Sequence, residues 1–155
     1  MKKLLSAAMA LFLALGLFAC GAKGEGGKNA DMPLDEMMDA ILEGVENLPE
    51  LDNVELTGEK WASYAFIEPS EGMEGYASDA MMMPGAHSVV LIRVPEGQDA
   101  EQVAAQVEKN ANPNKWICVS AEKTIVKRHG NVILLVMSSA SLADPIAANF
   151  DRLFS

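Results

Sequence analysis

The sequence predicts an α+β fold: a small two-layer sandwich of helices packed on a mixed or antiparallel sheet of three to five strands, in the order α-β-β-α-β-β-α. Two observations predict it. Segments with helical 3.6-residue periodicity alternate with short β-branched segments, and turns rich in glycine, proline and asparagine separate them. The chain has 155 residues, half of them hydrophobic, which is enough for one core.

The chain begins with the features of a secretion signal. Lys2 and Lys3 precede a charge-free run, Leu4 to Ala19, which is shorter than the about 20 residues of a membrane-spanning helix. The run ends in Leu17-Phe18-Ala19-Cys20-Gly21, which resembles the lipobox of bacterial lipoproteins. That resemblance implies a signal peptide over residues 1–19, cleavage before Cys20 and a diacylglycerol on the Cys20 thiol.

A diacylglyceryl anchor carries two acyl chains, which hold a protein stably to a bilayer. We therefore expect an extracytoplasmic protein anchored to the outer face of the cell membrane; the residues alone do not distinguish a Gram-positive from a Gram-negative envelope. Residues 20–30 hold the lipidated Cys20 and a glycine-rich tether, whose nine residues 21–29 have a reach of roughly 15–18 Å. Residues 31–155 form the predicted globular domain, and removal of residues 1–19 changes the net charge from -10 to -12.

The first half of the domain predicts one clear helix, over residues 33–47. Its apolar positions recur at helical spacing: Leu34, Met37, Met38, Ile41, Leu42 and Val45. Val54 and Leu56 then predict a short strand or an extended segment, and Trp61 to Ile67 is aromatic and β-prone. Residues 68–86 are predicted to be a long loop, or a loop with one helical turn.

The second half is more regular. Residues 88–94 predict a strand, and Asp99 is placed to cap a helix with a narrow apolar stripe (Ala100, Val103, Ala104, Val107). Trp116 to Lys127 predicts another strand, followed by a tight turn over residues 128–131. Residues 132–137 are apolar at every position and predict a central strand. Ser141 or Asp144 is expected to cap a last helix, with Pro145 in its first turn.

The charge of the chain excludes some classes of protein. Acids outnumber bases 22 to 12, and residues 31–80 hold fourteen acids against one base, Lys60. This acidic half repels anionic lipid and nucleic acid; it either attracts a cationic partner or simply keeps the domain soluble. The group of Lys123, Lys127 and Arg128 is too small for nucleic-acid binding. We therefore expect no nucleic-acid partner.

No catalytic motif is evident. The sequence lacks a phosphate-binding glycine loop, an HExxH helix, an EF-hand loop and paired zinc cysteines. Its only histidines, His87 and His129, lie at predicted loops or strand ends and indicate no catalytic triad. Cys118 lies between Ile117 and Val119 in a predicted strand, so we expect a buried, inert thiol.

A group of methionines is the most specific chemical feature. Met73, Met81, Met82 and Met83 lie close in sequence to His87. Thioether and imidazole groups suit Cu(I), so these five residues are weak candidates for a soft-metal site. The alternative is that the methionines fill a core or form an apolar surface patch.

Part of the chain resembles a known family. Asn112-Pro113-Asn114-Lys115-Trp116-Ile117-Cys118-Val119 leads into Ala121-Glu122-Lys123 and a hairpin that ends near Met137. With the lipobox, about residues 50–140 resemble an uncharacterised family of small lipoproteins of Gram-positive bacteria that shares a domain of unknown function. The resemblance implies a lipid-anchored extracellular domain and transfers no activity or site residue.

Three functional hypotheses follow. The first is a non-enzymatic binding or accessory module of the cell envelope, which needs no cofactor beyond the lipid on Cys20 and serves a small ligand or another envelope protein. The second is an enzyme that uses carboxylates of the 68–86 loop. The third is copper handling through the methionine-rich part of that loop.

Overall fold

The structure, a computed structural model, describes residues 29–82 and 85–155. The predicted signal peptide, Cys20, residues 20–28 of the tether, and Met83 lie outside the described residues. The elements are α1 (Leu34–Leu42), β1 (Leu51–Glu55), a π-helix (Trp61–Ala65), β2 (Glu74–Ala80), β3 (Ser88–Arg93), α2 (Ala100–Asn110), β4 (Lys123–His129), β5 (Val132–Ser138) and α3 (Ala140–Leu153). Within the described residues, no helix combines the length and apolar character needed to cross a bilayer.

The five strands form one open sheet in the order β1-β2-β3-β5-β4, and every neighbouring pair is antiparallel. The predicted α+β class is therefore confirmed. β5 lies between β3 and β4, so the β3–α2–β4 connection crosses over the strand that follows it in sequence. A two-residue turn, Gly130-Asn131, returns the chain from β4 to β5 and places His129 opposite Val132. Gly130 has a φ of 58°, which glycine adopts without a steric penalty.

Successive side chains along the central strands point to opposite faces of the sheet, which divides the core into two clusters. One face of the sheet packs Val89 and Leu134 against α1 and α3, and the other packs Val90 and Leu135 against α2 and the π-helix. All seven residues of β5 are buried, as its continuous apolar run predicts. Helices thus cover both faces, so the sheet lies between two helical layers, whereas the sequence predicted two layers in total.

The helix ends follow the local backbone. α1 ends at Leu42, before the predicted limit of residue 47, because Gly44 and Asn47 take φ values of 71° and 60°. The predicted cap of α2 is confirmed: Asp99 Oδ1 accepts the N–H groups of Glu101 and Gln102 at 3.0 and 3.1 Å.

The predicted start of α3 is wrong. The helix begins at Ala140, with Ser139 at the N-cap position, so neither Ser141 nor Asp144 caps it. Pro145 consequently lies inside the helix, beyond its first turn. The buried strand β5 ends immediately before Ser139, so the earlier start follows from a connection of one residue between β5 and α3.

Two predictions for residues 61–86 are also corrected. The aromatic segment forms a π-helix, not a strand, and it buries Trp61 against the sheet. Residues 68–86 are not one long loop, because β2 lies within them and pairs with both β1 and β3. Gly75 on β2 has no space for a side chain: a Cβ there would lie 2.8 Å from Leu56 Cδ1 and 2.9 Å from the Trp61 ring.

A further correction concerns the predicted strand at 116–127, which begins only at Lys123. Residues 112–121, called the 112–121 loop below, fold back on themselves because the Ala121 N–H donates to the Pro113 carbonyl at 2.9 Å. Ile117 is 99% exposed, and the neighbouring Cys118 is exposed as well. The expectation of a buried thiol is therefore wrong.

Candidate functional site

The structure separates the candidate metal ligands. Met73 comes just before β2 and Met81 just after it, so the seven residues of β2 place them about 25 Å apart along the strand. Met73 is half-buried and its sulfur accepts the Ser70 N–H at 3.3 Å, whereas Met81 and Met82 are exposed. A soft-metal site near Met81 would therefore have to form without Met73.

His87 is removed from solvent, with an exposed fraction of 1%. Its Nδ1 lies 2.9 Å from Ser138 Oγ, and its Nε2 has no partner within the described part of the chain. Burial lowers the pKa of His87; the carboxylate of Asp79 opposes that shift and the ammonium of Lys115 adds to it. The result is a neutral, buried imidazole that incoming ligands do not reach.

His129 makes contacts that stabilise the fold. Its Nε2 lies 3.0 Å from Asp151 Oδ1, and its ring stacks on Phe154 with centroids 5.1 Å apart. Hydrogen bonds from Lys127 and His129 lower the pKa of Asp151. These contacts join β4 to the last turns of α3.

A polar cluster that the sequence did not predict lies where β2 ends and β3 begins. Lys115 Nζ lies 2.7 Å from Asp79 Oδ2 and 2.9 Å from Ser88 Oγ. The same ammonium sits 4.9 Å from the centroid of the Tyr64 ring and 5.0 Å from that of Trp116. No spacing in the sequence links Lys115 to β2, so only the fold brings these residues together.

The Ser88–Lys115 pair has the composition of a serine–lysine nucleophile but not its accessibility. Ser88 is 0% exposed, so a substrate cannot approach its hydroxyl. The ammonium of Lys115 is a donor to the Asp79 carboxylate and, as an ammonium, has no lone pair with which to act as a base. The cluster holds the 112–121 loop on the sheet rather than performing chemistry.

The carboxylates at 68–86 are dispersed rather than paired. Glu74 forms an ion pair with Arg93, with Oε2 2.7 Å from Nη1. Glu68 and Glu71 are exposed, and of these two only Glu68 lines a cavity. In the described ranges, 29–82 and 85–155, no cluster of three or more histidine, cysteine or acidic side chains is placed to hold a metal ion.

A concave surface lies between α2 and the segment that follows the π-helix; we call it the α2 groove. It consists of two adjoining cavities of about 340 and 480 Å³, which share Ile67, Glu68 and Gln106. The remaining lining residues are Ala62, Phe66, Ser70, Met73, Gln98, Asp99, Gln102, Val103 and Asn110.

A row of carboxamides runs along this groove. Gln102, Gln106 and Asn110 are spaced by four residues, which places them on one side of α2, and Gln98 lies two residues before the helix begins at Ala100. At the two ends, Gln98 Nε2 donates to the Glu71 carbonyl at 3.0 Å and Asn110 Nδ2 donates to the Phe66 carbonyl at 3.2 Å. These bonds hold the far wall of the groove in place.

The two central amides are free to bind. Gln102 and Gln106 are exposed, and their side chains make no hydrogen bond within the described residues. The four-residue spacing is visible in the sequence. The opposite wall of the groove is not visible in the sequence, because the aromatic sequence of the π-helix predicts a strand.

Backbone irregularities border the same groove. The π-helix contributes Ala62, and Phe66 directly after it has a φ of 61°, an uncommon conformation for a bulky residue. Both π-helical turns and strained residues are found frequently at functional sites. The groove is therefore the candidate functional site.

Comparison of the chain with protein-family models, with curated proteins and with solved structures found no match. The resemblance of residues 50–140 to an uncharacterised lipoprotein family stays a prediction. The function proposed below therefore depends on the sequence of this chain and on its own geometry.

Proposed function

We propose that this protein is a lipid-anchored, non-enzymatic binding module of the cell envelope, held at the outer face of the membrane through Cys20. The observation that carries the proposal is the contrast between two kinds of polar group. The α2 groove is open and its central amides, Gln102 and Gln106, have no partner within the described residues, whereas the pairs Ser138–His87 and Ser88–Lys115 are buried. The groups that suit binding are accessible, and the groups that would suit catalysis are not. This contrast favours a binding module.

The start of the domain supports an anchor close to the fold. Arg93 Nε donates to the Ala30 carbonyl at 3.1 Å, and Asn29 Nδ2 donates to the Leu153 carbonyl at 2.7 Å. The chain is thus fixed to the sheet and to α3 within about ten residues of Cys20. A tether of that length keeps the domain near the membrane surface, where ligands of the cell envelope are concentrated.

The anchor is tested by the intact mass of the protein extracted from membranes. We expect a chain that begins at Cys20 and carries a diacylglyceryl group. Cys20→Ser should abolish the lipid mass, whereas the matched control Cys118→Ser should keep it. A mature mass equal to the unmodified chain, or a chain that retains residues 1–19, would contradict the proposal.

The binding surface is tested by photo-crosslinking in intact cells. A photoreactive amino acid at position 106 faces the α2 groove, and one at position 108 lies on the same helix outside it. We expect a reproducible adduct from position 106 and none from position 108. Equal adducts from both positions, or none from position 106, would rule out the groove as the binding surface.

A further inference from the structure

We infer that the α2 groove binds an uncharged, hydroxyl-rich oligosaccharide. This inference rests on the proposed function and adds the chemical class of the ligand. It is carried by three properties of the groove: its hydrogen-bonding groups, its charge, and the shape and apolar character of its floor.

The hydrogen-bonding groups match those of a sugar. A carboxamide offers two N–H donors and a carbonyl acceptor, and a hydroxyl is both donor and acceptor. Gln102 and Gln106 keep all of these positions unused within the described residues, because the bonds that fix the groove come from Gln98 and Asn110. Ser70 is not available, since its hydroxyl is bonded to Gln98 Oε1.

The charge of the groove disfavours anionic ligands. Its lining includes two carboxylates, Glu68 and Asp99, and no lysine or arginine. Asp99 Oδ1 caps α2, so the acceptors that remain for ligand hydroxyl groups are Asp99 Oδ2 and the Glu68 carboxylate. Phosphate and carboxylate groups would meet net negative charge without a compensating cation.

The floor suits the C–H faces of sugar rings. Ile67 lines both cavities and is buried, Val103 and Met73 line one of them and are half-buried, and Phe66 lines the other. From Gln102 to Asn110 the amide row spans eight residues of α2, about 12 Å at 1.5 Å per residue, and Gln98 extends the row just before the helix begins. That length accommodates an oligomer rather than a single ring.

The inference is tested by calorimetric titration of the full lipidated protein in detergent with three uncharged probes: chitohexaose, cellohexaose and maltohexaose. We expect at least one to bind. Gln102→Ala combined with Gln106→Ala should raise its dissociation constant about tenfold or more, the loss of one to two net hydrogen bonds. The matched control Glu108→Ala lies on the same helix outside the groove and should leave the constant unchanged.

Other outcomes would overturn the inference. Failure of all three probes, unchanged affinity in the double variant, or preference for a decalysine peptide or for polygalacturonate would each exclude a neutral sugar in this groove. An unchanged thermal midpoint of the double variant shows that it is folded, since both glutamine side chains are exposed. If the probes fail while position 106 still crosslinks in cells, only the ligand class is wrong; if position 106 captures nothing, the proposed function fails as well.

Discussion

Lys115 Nζ and Asp79 Oδ2 lie 2.7 Å apart across 36 residues of sequence, and this ion pair joins the 112–121 loop to the last residues of β2. Both side chains are largely buried, with exposed fractions of 13% and 18%. A second bond from the same ammonium to Ser88 Oγ extends the contact to the first residue of β3. This ion pair therefore docks the loop on the sheet, together with the apolar packing of Trp116 and Ala121 against the core.

Replacing Lys115 should weaken the fold. Lys115→Met leaves the Asp79 carboxylate largely buried without its charge partner, so we expect the free energy of unfolding to fall by about 2–3 kcal/mol. Lys123→Met is the matched control, because the Lys123–Asp144 pair is exposed and should contribute less than about 1 kcal/mol. Urea unfolding measures both. Equal losses would show that the Lys115–Asp79 pair has no special structural role.

A side chain at Gly75 should be poorly tolerated. Its Cβ would meet Leu56 and the Trp61 ring at 2.8–2.9 Å, so Gly75→Ala must displace the π-helix or β2. We expect a loss of about 1–3 kcal/mol in the free energy of unfolding. Gly85→Ala is the control, since a Cβ at that position would meet no atom within 4 Å and its effect should stay within about 0.5 kcal/mol. If Gly75→Ala left the free energy of unfolding unchanged, the packing around Gly75 would be looser than the structure shows.

The close packing at Gly75 also explains why local sequence patterns do not reveal β2. The strand reads Glu-Gly-Tyr-Ala-Ser-Asp-Ala, a run of small and polar residues with low β-propensity. Its strand conformation comes from pairing with β1 and β3, and its small residues make room for Trp61. Those pairings involve distant segments, which local propensity does not reflect.

The parts that the sequence predicts well depend on strong local patterns. β5 is apolar throughout, α1 has helical spacing, and Asp99 caps α2 as its position indicates. The candidate site falls between these two cases. The amide spacing along α2 is readable, but the opposite wall depends on a π-helix, whose aromatic sequence resembles that of a strand.

Cys118 should react as an accessible thiol. Because it is exposed, we expect one thiol per folded chain to react with a thiol-specific chromogenic reagent without denaturant. The reaction should disappear in Cys118→Ser. In the membrane-extracted protein a lipidated Cys20 contributes no thiol, so two reactive thiols per chain would contradict the anchor. No reaction until unfolding would contradict the exposure of Cys118.

His87 should make stability fall as the pH falls from about 6.5 to 5. Burial lowers its pKa from the ordinary 6.5, so as the pH falls below about 6.5 the unfolded chain binds more protons at this position than the folded chain does. One such group changes the free energy of unfolding by at most about 1.4 kcal/mol per pH unit. Asp151 does not interfere: its pKa lies below the ordinary 3.8, so its stabilising contribution is present above that pH and is lost only as the pH falls further.

The measurement is the urea midpoint at several pH values between 5 and 7. His87→Gln should flatten the slope, because glutamine does not titrate. Ser138→Ala removes the hydrogen bond to His87 but leaves the imidazole buried, so it should lower stability at every pH and keep the slope. A flat profile in Ser138→Ala would show that the hydrogen bond, rather than burial, controls the titration. If the pH dependence persists in His87→Gln, titratable groups other than His87 cause it.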